Sequence, residues 1–255
     1  MQLEQVAVQL YTVRERAAAD FVATLGEVAG IGYRAVELAG THGLAATEVR
    51  AVMDRLGLRA MGAHLPFERF AADAAATVAE AVALGCEVAV VPSVPAARRG
   101  GDAAAVRELA ATLNGFGERC RVAGLAFAYH NHDFELAPLA DDAGRTMLDV
   151  LIAETDPALV GFEVDVFWVA AAGHDPVALL ERLTGRVPVV HLKDRAAGPE
   201  QADAPVGAGT FAWGPILAAA EAAGAGWYVV EQDHPQDAMA DVATSLRNLA
   251  GMAQG

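Results

Sequence analysis

The sequence predicts a single-domain α/β protein over residues 1–255, folded as one (β/α)8 (TIM) barrel. The chain has 255 residues, a common length for such a barrel, and no linker rich in Pro, Ser or Gly divides it. Short β-branched runs alternate with longer Ala-, Leu- and Glu-rich segments at helical spacing from end to end. Eight runs are expected as strands, at residues 6–10, 35–38, 59–64, 87–92, 125–130, 160–165, 187–192 and 227–231.

The expected strands are continuous apolar runs, as in parallel strands covered by helices on both faces. Helix signals lie between them, because Asp102 and the Asp175-Pro176 pair can cap helix N-termini. Glycines are expected just after helices, where a left-handed residue is favoured, at Gly30, Gly57, Gly85, Gly124 and Gly224. Residues 196–211 are expected as one long loop, in which Gly207 and Gly209 would permit close backbone approach or a hinged lid.

An open, doubly wound sheet is the alternative fold, and counting strands does not exclude it. The first expected strand is followed by YTVRE rather than by the Gly-x-Gly-x-x-Gly turn of dinucleotide-binding folds. The dinucleotide-binding version of the open sheet therefore loses its main support.

Charge and hydropathy limit the expected partners and location. The chain has 18 basic and 33 acidic residues, a formal net charge of −15. So negative a surface repels phosphate backbones and anionic lipids, and we expect neither nucleic acid nor a membrane as partner. A small-molecule substrate in a local pocket stays compatible with this charge, and a monomer and a homodimer both remain open.

The chain also lacks the marks of export. The N-terminus shows no signal peptide, and apolar stretches stay well short of the roughly 20 residues of a membrane span, which predicts a cytoplasmic protein. Cys86 and Cys120 have Ala-, Val- and Gly-rich neighbours and match no metal or redox spacing. We expect them to be buried thiols.

Histidines are concentrated where a barrel builds its active site. Each falls at the C-terminal end of an expected strand or in the loop just beyond it: His42, His64, His130, His132, His174, His191 and His234. Barrel active sites lie at that face. A general preference of histidine for loops is the alternative explanation, although His130 and His191 belong to expected strands.

The ends of the fifth to eighth expected strands carry metal-ligand side chains. The fifth ends in AYHNHD, where alternation with period two directs His130 and His132 to the same side. The sixth ends in FEVD, the seventh in HLKD and the eighth in VEQD. One residue from each gives His130, Asp165, His191 and Glu231, which neighbouring strand ends would bring together. A divalent ion needs converging ligands of these types, so the set predicts a metal site.

The phrases VQLYTVR, AYHNHDFE, HLKD and VVEQDHP, in this order and spacing, resemble the sugar phosphate isomerase/epimerase superfamily with a xylose isomerase-like barrel. The resemblance covers essentially the whole chain, and it is specific for the superfamily but weak for the substrate. It implies one divalent ion (Mn²⁺, Co²⁺, Mg²⁺ or Zn²⁺) held by Glu, Asp, His and Glu from the last four strands. Asp165, His191 and Glu231 match this pattern, whereas His130 stands where the epimerases have their first Glu. The Tyr-His-Asn-His form is closer to the inosose dehydratase-like and keto-sugar lyase branches.

The chemistry that the resemblance implies is proton removal next to a metal-bound carbonyl. A metal that chelates a carbonyl and the neighbouring hydroxyl acidifies the adjacent C–H by stabilising the enediolate. We expect an isomerase or epimerase acting on a sugar, keto-sugar or cyclitol, with a dehydratase or lyase as the alternative. Candidate bases are His132, Glu231 and Glu37, which ends the second strand. Because ketose epimerases use paired glutamates, His130 argues against that two-sided mechanism.

Other residues are candidates for substrate binding: Gln9, His64, Trp168, His174 and Lys193. Each also has a structural interpretation. Lys193 could instead form a salt bridge to Asp194 or Asp165, and Trp168 could pack beneath a loop.

Two further classes of function remain open at this point. The same superfamily contains endonucleases that cleave at abasic sites, but the net charge of −15 and a ligand set suited to one metal oppose that function. A catalytically silent sugar-binding module would bind its ligand without product and without dependence on metal.

Overall fold

A computed structural model describes residues 1–99, 102–142, 144–198, 200 and 202–253. Within these residues eight parallel strands close into a barrel, in the spatial order β1-β10-β7-β6-β5-β4-β3-β2. The barrel strands are β1 (Val6–Gln9), β2 (Ala35–Leu38), β3 (Arg59–His64), β4 (Val88–Val91), β5 (Ala126–His130), β6 (Gly161–Asp165), β7 (Val189–Leu192) and β10 (Trp227–Val230). All eight predicted strands are confirmed, and closure excludes the open-sheet alternative.

Helices follow the barrel strands and cover the outside of the barrel. They are α1 (Arg14–Ala19), α2 (Phe21–Ile31), α3 (Ala46–Leu56), α4 (Phe67–Leu84), α5 (Ala103–Val122), α6 (Met147–Glu154), α7 (Val166–Ala171), α8 (Pro176–Arg182), α9 (Trp213–Ala222) and α10 (Ala238–Met252). The connections after β1 and after β6 each contain two helices rather than one. The second of these places α7 directly at the end of β6.

Most of the predicted helix boundaries are confirmed. Asp102 accepts a hydrogen bond from Ala105 N at 2.8 Å and begins α5, and Asp175 caps α8 in the same way. Gly57, Gly85, Gly124 and Gly224 follow helices with φ between +68° and +93°. The expectation for Gly30 is wrong, because that residue lies inside α2. The helix ends at Ile31, and the next residue, Gly32, adopts a φ of +124° that glycine alone tolerates well.

The segment predicted as one long loop after β7 contains regular structure. Asp194–Arg195 (β8) pairs antiparallel with Asp203–Ala204 (β9). Pro199 and Gln201, between these two strands, lie outside the described residues. The sequence did not reveal this hairpin, because strands of two residues are too short to show an apolar pattern.

The side chain that holds the segment is Asp194, which is fully buried. Its carboxylate accepts hydrogen bonds at 2.7–3.1 Å from the backbone N–H of Arg195, Gly207, Gly209 and Phe211 and from Trp213 Nε1. A Cβ at Gly209 would lie 2.3 Å from Asp194 Oδ1, so glycine permits this close approach. Of the two roles predicted for Gly207 and Gly209, close backbone approach is the one that this geometry supports.

The barrel interior divides into an apolar end and a polar end. The N-terminal end is filled by an apolar cluster of Ala7, Ala35, Met61, Val88, Val90, Ala128, Val189, Trp227 and Val229. Two residues further along several of these strands, the inward side chains become Gln9, Glu37, His130, His191 and Glu231. The apolar cluster therefore closes the barrel below a polar layer at the C-terminal face, where barrel enzymes have their active sites.

Two further findings concern the cysteines and the length and polarity of the helices. Cys86 and Cys120 are buried free thiols, as predicted. In the described part of the chain, the helices are all too short or too polar to cross a membrane.

Two glycines of α5 offer a matched test of how tightly the helical layer packs. A Cβ at Gly117 would lie 2.3 Å from the backbone oxygen of Leu159, whereas a Cβ at Gly115 would meet nothing within 4 Å among the described residues. We predict that Gly117→Ala lowers the free energy of unfolding by about 1–3 kcal/mol, the usual effect of overpacking. Gly115→Ala should raise it by about 0.5–1 kcal/mol, because alanine favours helix. Urea denaturation of both variants measures the difference, and equal stabilities would contradict the packing described for α5.

Candidate metal centre

The four residues predicted as metal ligands lie on four barrel strands that are neighbours in space. The barrel order places β5, β6, β7 and β10 side by side. The strand register pairs Asp165 directly with His191. All four side chains are buried, and one ligand atom from each lies within 4.8 Å of the others. The structure thus brings together His130, Asp165, His191 and Glu231, as the sequence predicted.

The donor atoms of this cluster lie close together. Glu231 Oε2 lies 3.0 Å from His191 Nδ1, and Asp165 Oδ2 lies 3.9 Å from His130 Nε2. Asp165 caps α7 with its other oxygen, Oδ1, which accepts from Phe167 N at 2.8 Å. Oδ2 is buried and forms an ion pair with the Lys193 ammonium at 3.0 Å. Two imidazole nitrogens and two carboxylate oxygens fit a divalent transition metal.

The ammonium group of Lys193 places a positive charge next to the carboxylates of the cluster. It is fully buried, and its Nζ lies 3.0 Å from Asp165 Oδ2, 3.0 Å from Glu231 Oε2 and 2.8 Å from Asp233 Oδ2. Of the two salt bridges considered for Lys193, the one to Asp165 is present. Asp194 instead binds the backbone of the following segment. These carboxylates raise the pKa of Lys193 well above its usual range against the effect of burial, so the ammonium stays charged.

A second pair of carboxylates, Glu163 and Glu37, lies beneath the cluster and is fully buried. Glu163 Oε1 lies 2.9 Å from His130 Nδ1, 3.0 Å from His191 Nε2 and 2.8 Å from His64 Nε2. Glu37 Oε2 lies 2.8 Å from His191 Nε2. Glu163 was missed by the sequence analysis, although it stands two residues before Asp165 and the period-two pattern places both on one side of β6.

Burial and mutual charge shape the protonation of the polar layer. Burial, with the neighbouring Glu163 carboxylate, raises the pKa of Glu37 to about 7. Burial likewise raises the pKa of Asp165 to about 6, although Lys193 opposes the rise. Burial alone would disfavour charge on His191, but Glu163 and Glu231 outweigh it and raise its pKa well above the usual range. His191 and Lys193 therefore supply positive charge that keeps these carboxylates buried.

His132 lies beside the cluster rather than in it. Its ring is 4.9 Å from the ring of His130 and 5.6 Å from that of Trp168, centroid to centroid. Its Nδ1 is buried without a hydrogen-bond partner in the described ranges. Burial and the nearby Lys193 charge lower the pKa of His132 to about 4, so its imidazole is neutral at pH 7 and able to accept a proton.

A cavity of about 430 Å³ opens above the cluster at the C-terminal face of the barrel. Its polar floor includes His64, His130, His132, Lys193, Glu231 and Asp233. Its walls include the apolar side chains of Tyr11, Leu38, Leu65, Pro66 and Pro92. This combination of apolar walls and a few convergent polar groups is typical of small-molecule sites.

The structure brings only some of the predicted substrate-binding residues to this cavity. His64 and Lys193 line it. Gln9 lies outside its lining and instead donates from Nε2 to Glu37 and accepts from the backbone N–H of Tyr11. Trp168 also lies outside the lining but packs on His132, and its Nε1 is buried without a partner among the described residues.

His174 and Glu37 lie away from the cavity for two different reasons. His174 is exposed and separated from the end of β6 by the whole of α7, a helix that the sequence analysis did not separate from the loop. Glu37 is fully buried beneath His191, and its Oε2 is taken up by Gln9 and His191. Of the three candidate bases, His132 and Glu231 line the cavity and Glu37 does not.

Glu135 fixes the loop that carries His132. It is fully buried and accepts hydrogen bonds from Tyr129 Oη at 2.6 Å and from His132 N at 2.8 Å. Burial raises the pKa of Glu135 to about 7 despite these hydrogen bonds. The AYHNHDFE phrase thus contains both His132 and the carboxylate that holds the backbone of His132.

The chain is thus a closed (β/α)8 barrel with a His/carboxylate cluster under a cavity at its C-terminal face. The sequence profile of the xylose isomerase-like TIM barrels matches residues 25–250 of this chain. The protein therefore belongs to the family of xylose isomerase-like TIM barrels.

Individual relatives agree with this assignment. The chain is 36% identical over 75 residues to the inosose dehydratase of Geobacillus kaustophilus, a stretch that spans 29% of this chain and 23% of that relative. Among solved structures, a sugar phosphate isomerase/epimerase from Parabacteroides distasonis superposes with a TM-score of 0.83 at 24% identity, covering 96% of this chain and 97% of that one. The IolI protein with a bound zinc atom superposes with a TM-score of 0.74 at 14% identity, covering 98% of each chain. At these identities the two structures show the shared fold alone.

The raised pKa of Glu135 predicts a pH dependence of stability. Between about pH 4.5 and 7 the folded protein keeps a proton on Glu135 that the unfolded chain releases, so stability from this group is full below pH 4.5 and falls as the pH rises. Glutamine resembles the neutral form of Glu135. We therefore expect Glu135→Gln to lose this part of the pH dependence, which amounts to at most about 1.4 kcal/mol of unfolding free energy per pH unit. Denaturation of metal-free protein at pH 5, 6 and 7 measures it.

The exposed residue Glu108 provides the control for this experiment. Glu108→Gln should follow the wild-type pH profile. A Glu135→Gln variant whose stability changes with pH as the wild type does would show that Glu135 is ionised in the folded protein.

Proposed function

We propose that this protein is a divalent-metal-dependent enzyme that removes a proton next to the carbonyl of an unphosphorylated keto-sugar or cyclitol, with dehydration as the outcome. The single observation that carries the proposal is the set of His130, Asp165, His191 and Glu231, whose donor atoms converge next to the cavity, with His130 and Glu231 in its lining. Its donor chemistry favours Zn²⁺, Co²⁺ or Mn²⁺, because Mg²⁺ prefers oxygen ligands alone. The similarity to inosose dehydratases over part of the chain supports the choice of dehydration.

The metal and the protein would divide the chemistry. When bound, a divalent ion would polarise the substrate carbonyl and make the neighbouring C–H more acidic. His132, which lines the cavity as a neutral imidazole, would take that proton. Protonated His132 would then pass that proton to the departing β-hydroxyl, which leaves as water as the C=C bond forms. Lys193 Nζ, in the same floor, would donate a hydrogen bond to a substrate oxygen. The cavity lining thus contains a neutral imidazole, His132, as the base and a charged ammonium, Lys193, as the hydrogen-bond donor.

The arrangement supports proton removal from one face of the substrate. A two-sided epimerase needs an acid or base on each side of the reacting carbon. Here the carboxylates of the cavity lining, Glu80, Glu231 and Asp233, are each paired with Arg69 or Lys193, which leaves His132 as the proposed base. One-sided abstraction is compatible with elimination and with 1,2-isomerisation, and it argues against epimerisation by paired carboxylates.

The lining also favours a substrate without phosphate. The cavity's basic side chains, Lys193 and Arg69, are both paired with carboxylates: Lys193 with Asp165, Glu231 and Asp233, and Arg69 with Glu80 at 2.9 Å. A phosphate group would have to compete with these pairs in a strongly acidic protein. A neutral polyhydroxy ketone needs hydrogen bonds and apolar contact instead, which this lining supplies.

Removal of a ligand tests the metal site. We predict that Asp165→Ala and His191→Ala lose bound Zn²⁺ or Mn²⁺ and all activity while keeping the wild-type far-UV circular dichroism, because strand-end side chains lie above the apolar core. His174→Ala, which removes an exposed histidine outside the cluster, is the matched control and should bind one ion per chain. Elemental analysis of dialysed protein measures the metal, and one-to-one occupancy in both ligand variants would refute the site.

Isotope exchange tests the base. In D₂O, a 2-keto or 3-keto sugar or an inosose should exchange its α-hydrogen and then lose a β-hydroxyl or isomerise. His132→Ala should slow this exchange by about 10²–10⁴-fold, the usual contribution of a general base, while metal content stays unchanged. Proton NMR follows the exchange. Efficient C3 epimerisation of fructose or tagatose that survives the substitution would refute both the one-sided mechanism and the assigned base.

A further inference from the structure

The two histidines of the proposed metal site each lie between two carboxylates. His130 has Glu163 Oε1 at 2.9 Å from Nδ1 and Asp165 Oδ2 at 3.9 Å from Nε2. His191 has Glu163 Oε1 at 3.0 Å from Nε2 and Glu231 Oε2 at 3.0 Å from Nδ1. One buried carboxylate, that of Glu163, therefore contacts one nitrogen of each ring, His130 Nδ1 and His191 Nε2, which we call the rear nitrogens. The second nitrogen of each ring lies nearest Asp165 or Glu231.

We propose that Glu163 is a positioning residue of the metal centre, which holds both imidazole ligands through one carboxylate and so fixes which nitrogen of each ring faces the metal. This inference rests on the proposed function. A neutral imidazole carries one N–H, and a carboxylate behind the ring keeps that N–H on the rear nitrogen. His130 Nε2 and His191 Nδ1 are then left as lone-pair donors beside Asp165 and Glu231.

Glu163 could instead be a ligand, because one atom each of His64, His130, Glu163 and His191 also lies within 4.8 Å. The carboxylates favour the positioning role, because Glu231 lines the cavity whereas Glu163 is fully buried and lies outside the lining. Each group has two members in that lining, His64 and His130 in one and His130 and Glu231 in the other, so the Zn²⁺ affinities of the variants below decide between them.

Glu37 adds a second acceptor on one side only. Its Oε2 lies 2.8 Å from His191 Nε2, whereas Glu163 is the carboxylate that contacts His130 Nδ1. Gly62 provides the room, because a Cβ there would lie 3.3 Å from Glu37 Oε1 and 3.1 Å from the backbone oxygen of Val88. Loss of Glu163 should therefore leave His130 Nδ1 without its carboxylate acceptor. Loss of Glu37 should leave His191 Nε2 with Glu163 as its acceptor.

The test measures Zn²⁺ affinity and imidazole tautomers in the full chain. Zn²⁺ affinity is determined by competition with a chromophoric chelator for wild type, Glu163→Gln and Glu37→Gln. Glu87→Gln, which removes a carboxylate at the opposite end of the barrel, is the control. We expect Glu163→Gln to bind one Zn²⁺ about 10–100-fold more weakly, as for other residues that orient metal-bound histidines. Glu37→Gln should weaken binding less, and Glu87→Gln should match wild type.

Nitrogen-15 NMR of the histidine rings gives a readout that a merely structural role would not change. In Zn²⁺-loaded wild type, His130 should show a protonated Nδ1 and a metal-bound Nε2, and His191 the reverse. In Glu163→Gln the His130 signals should broaden or shift toward a mixture of tautomers. Should Glu163→Gln not fold by circular dichroism, Glu163→Asp, which withdraws the carboxylate by one methylene, should weaken Zn²⁺ binding in the same direction.

The outcomes separate this inference from the proposed function. Wild-type affinity and unchanged ring signals in a folded Glu163 variant would overturn the positioning role while leaving the metal site in place. Complete loss of Zn²⁺ in Glu163→Gln with retention in Asp165→Asn would make Glu163 a ligand and overturn the positioning role. A wild-type chain that binds no Zn²⁺, Co²⁺ or Mn²⁺ would overturn the proposed function and this inference together.

Discussion

The pairing of buried acids with buried histidines and one lysine at the C-terminal end of the barrel is the constraint on which the rest of the site depends. Glu37, Glu163, Asp165 and Glu231 are all buried within one layer. An isolated carboxylate in such a place would be neutralised or would destabilise the fold by several kcal/mol or more. Each instead lies within about 3 Å of an imidazole nitrogen or of Lys193 Nζ. These contacts link the members of the layer, so a change in one member alters the charge balance of its neighbours.

The apolar cluster beneath this layer strengthens the contacts between its charged and polar side chains. Met61, Val88, Val189, Trp227 and their neighbours fill the lower barrel and keep water from approaching the polar layer from below. Electrostatic interactions are stronger where water is excluded, so the same histidine–carboxylate contacts hold the rings more firmly than they would at a surface. Solvent and substrate can approach from the cavity above, where the proposed metal ligands and the proposed base lie.

Two further buried carboxylates hold the backbone of the segments that follow β5 and β7. Asp194 binds the backbone of the segment after β7 through its four N–H contacts and Trp213, and Glu135 binds the loop after β5 at the backbone of His132. Both are buried and both replace regular strand pairing with hydrogen bonds from one side chain to several amides. Loops that carry functional groups need such fixation, because they lack an apolar face of their own.

The sequence by itself determined the elements and the set of ligands. Apolar runs of strand length and helix-capping residues are local signals, so all eight barrel strands could be located, and the order of strands in a barrel then placed His130, Asp165, His191 and Glu231 together. Gly30 and the segment 196–211 show the limit of local signals, since a helix can continue past a glycine and a polar segment can form a short hairpin. Only the tertiary structure revealed the contacts of Glu163 and the separation of His174 from the cavity. Glu37 and His191 are 154 residues apart, and which nitrogen of an imidazole meets which carboxylate depends on such cross-barrel contacts, which no spacing along the chain encodes.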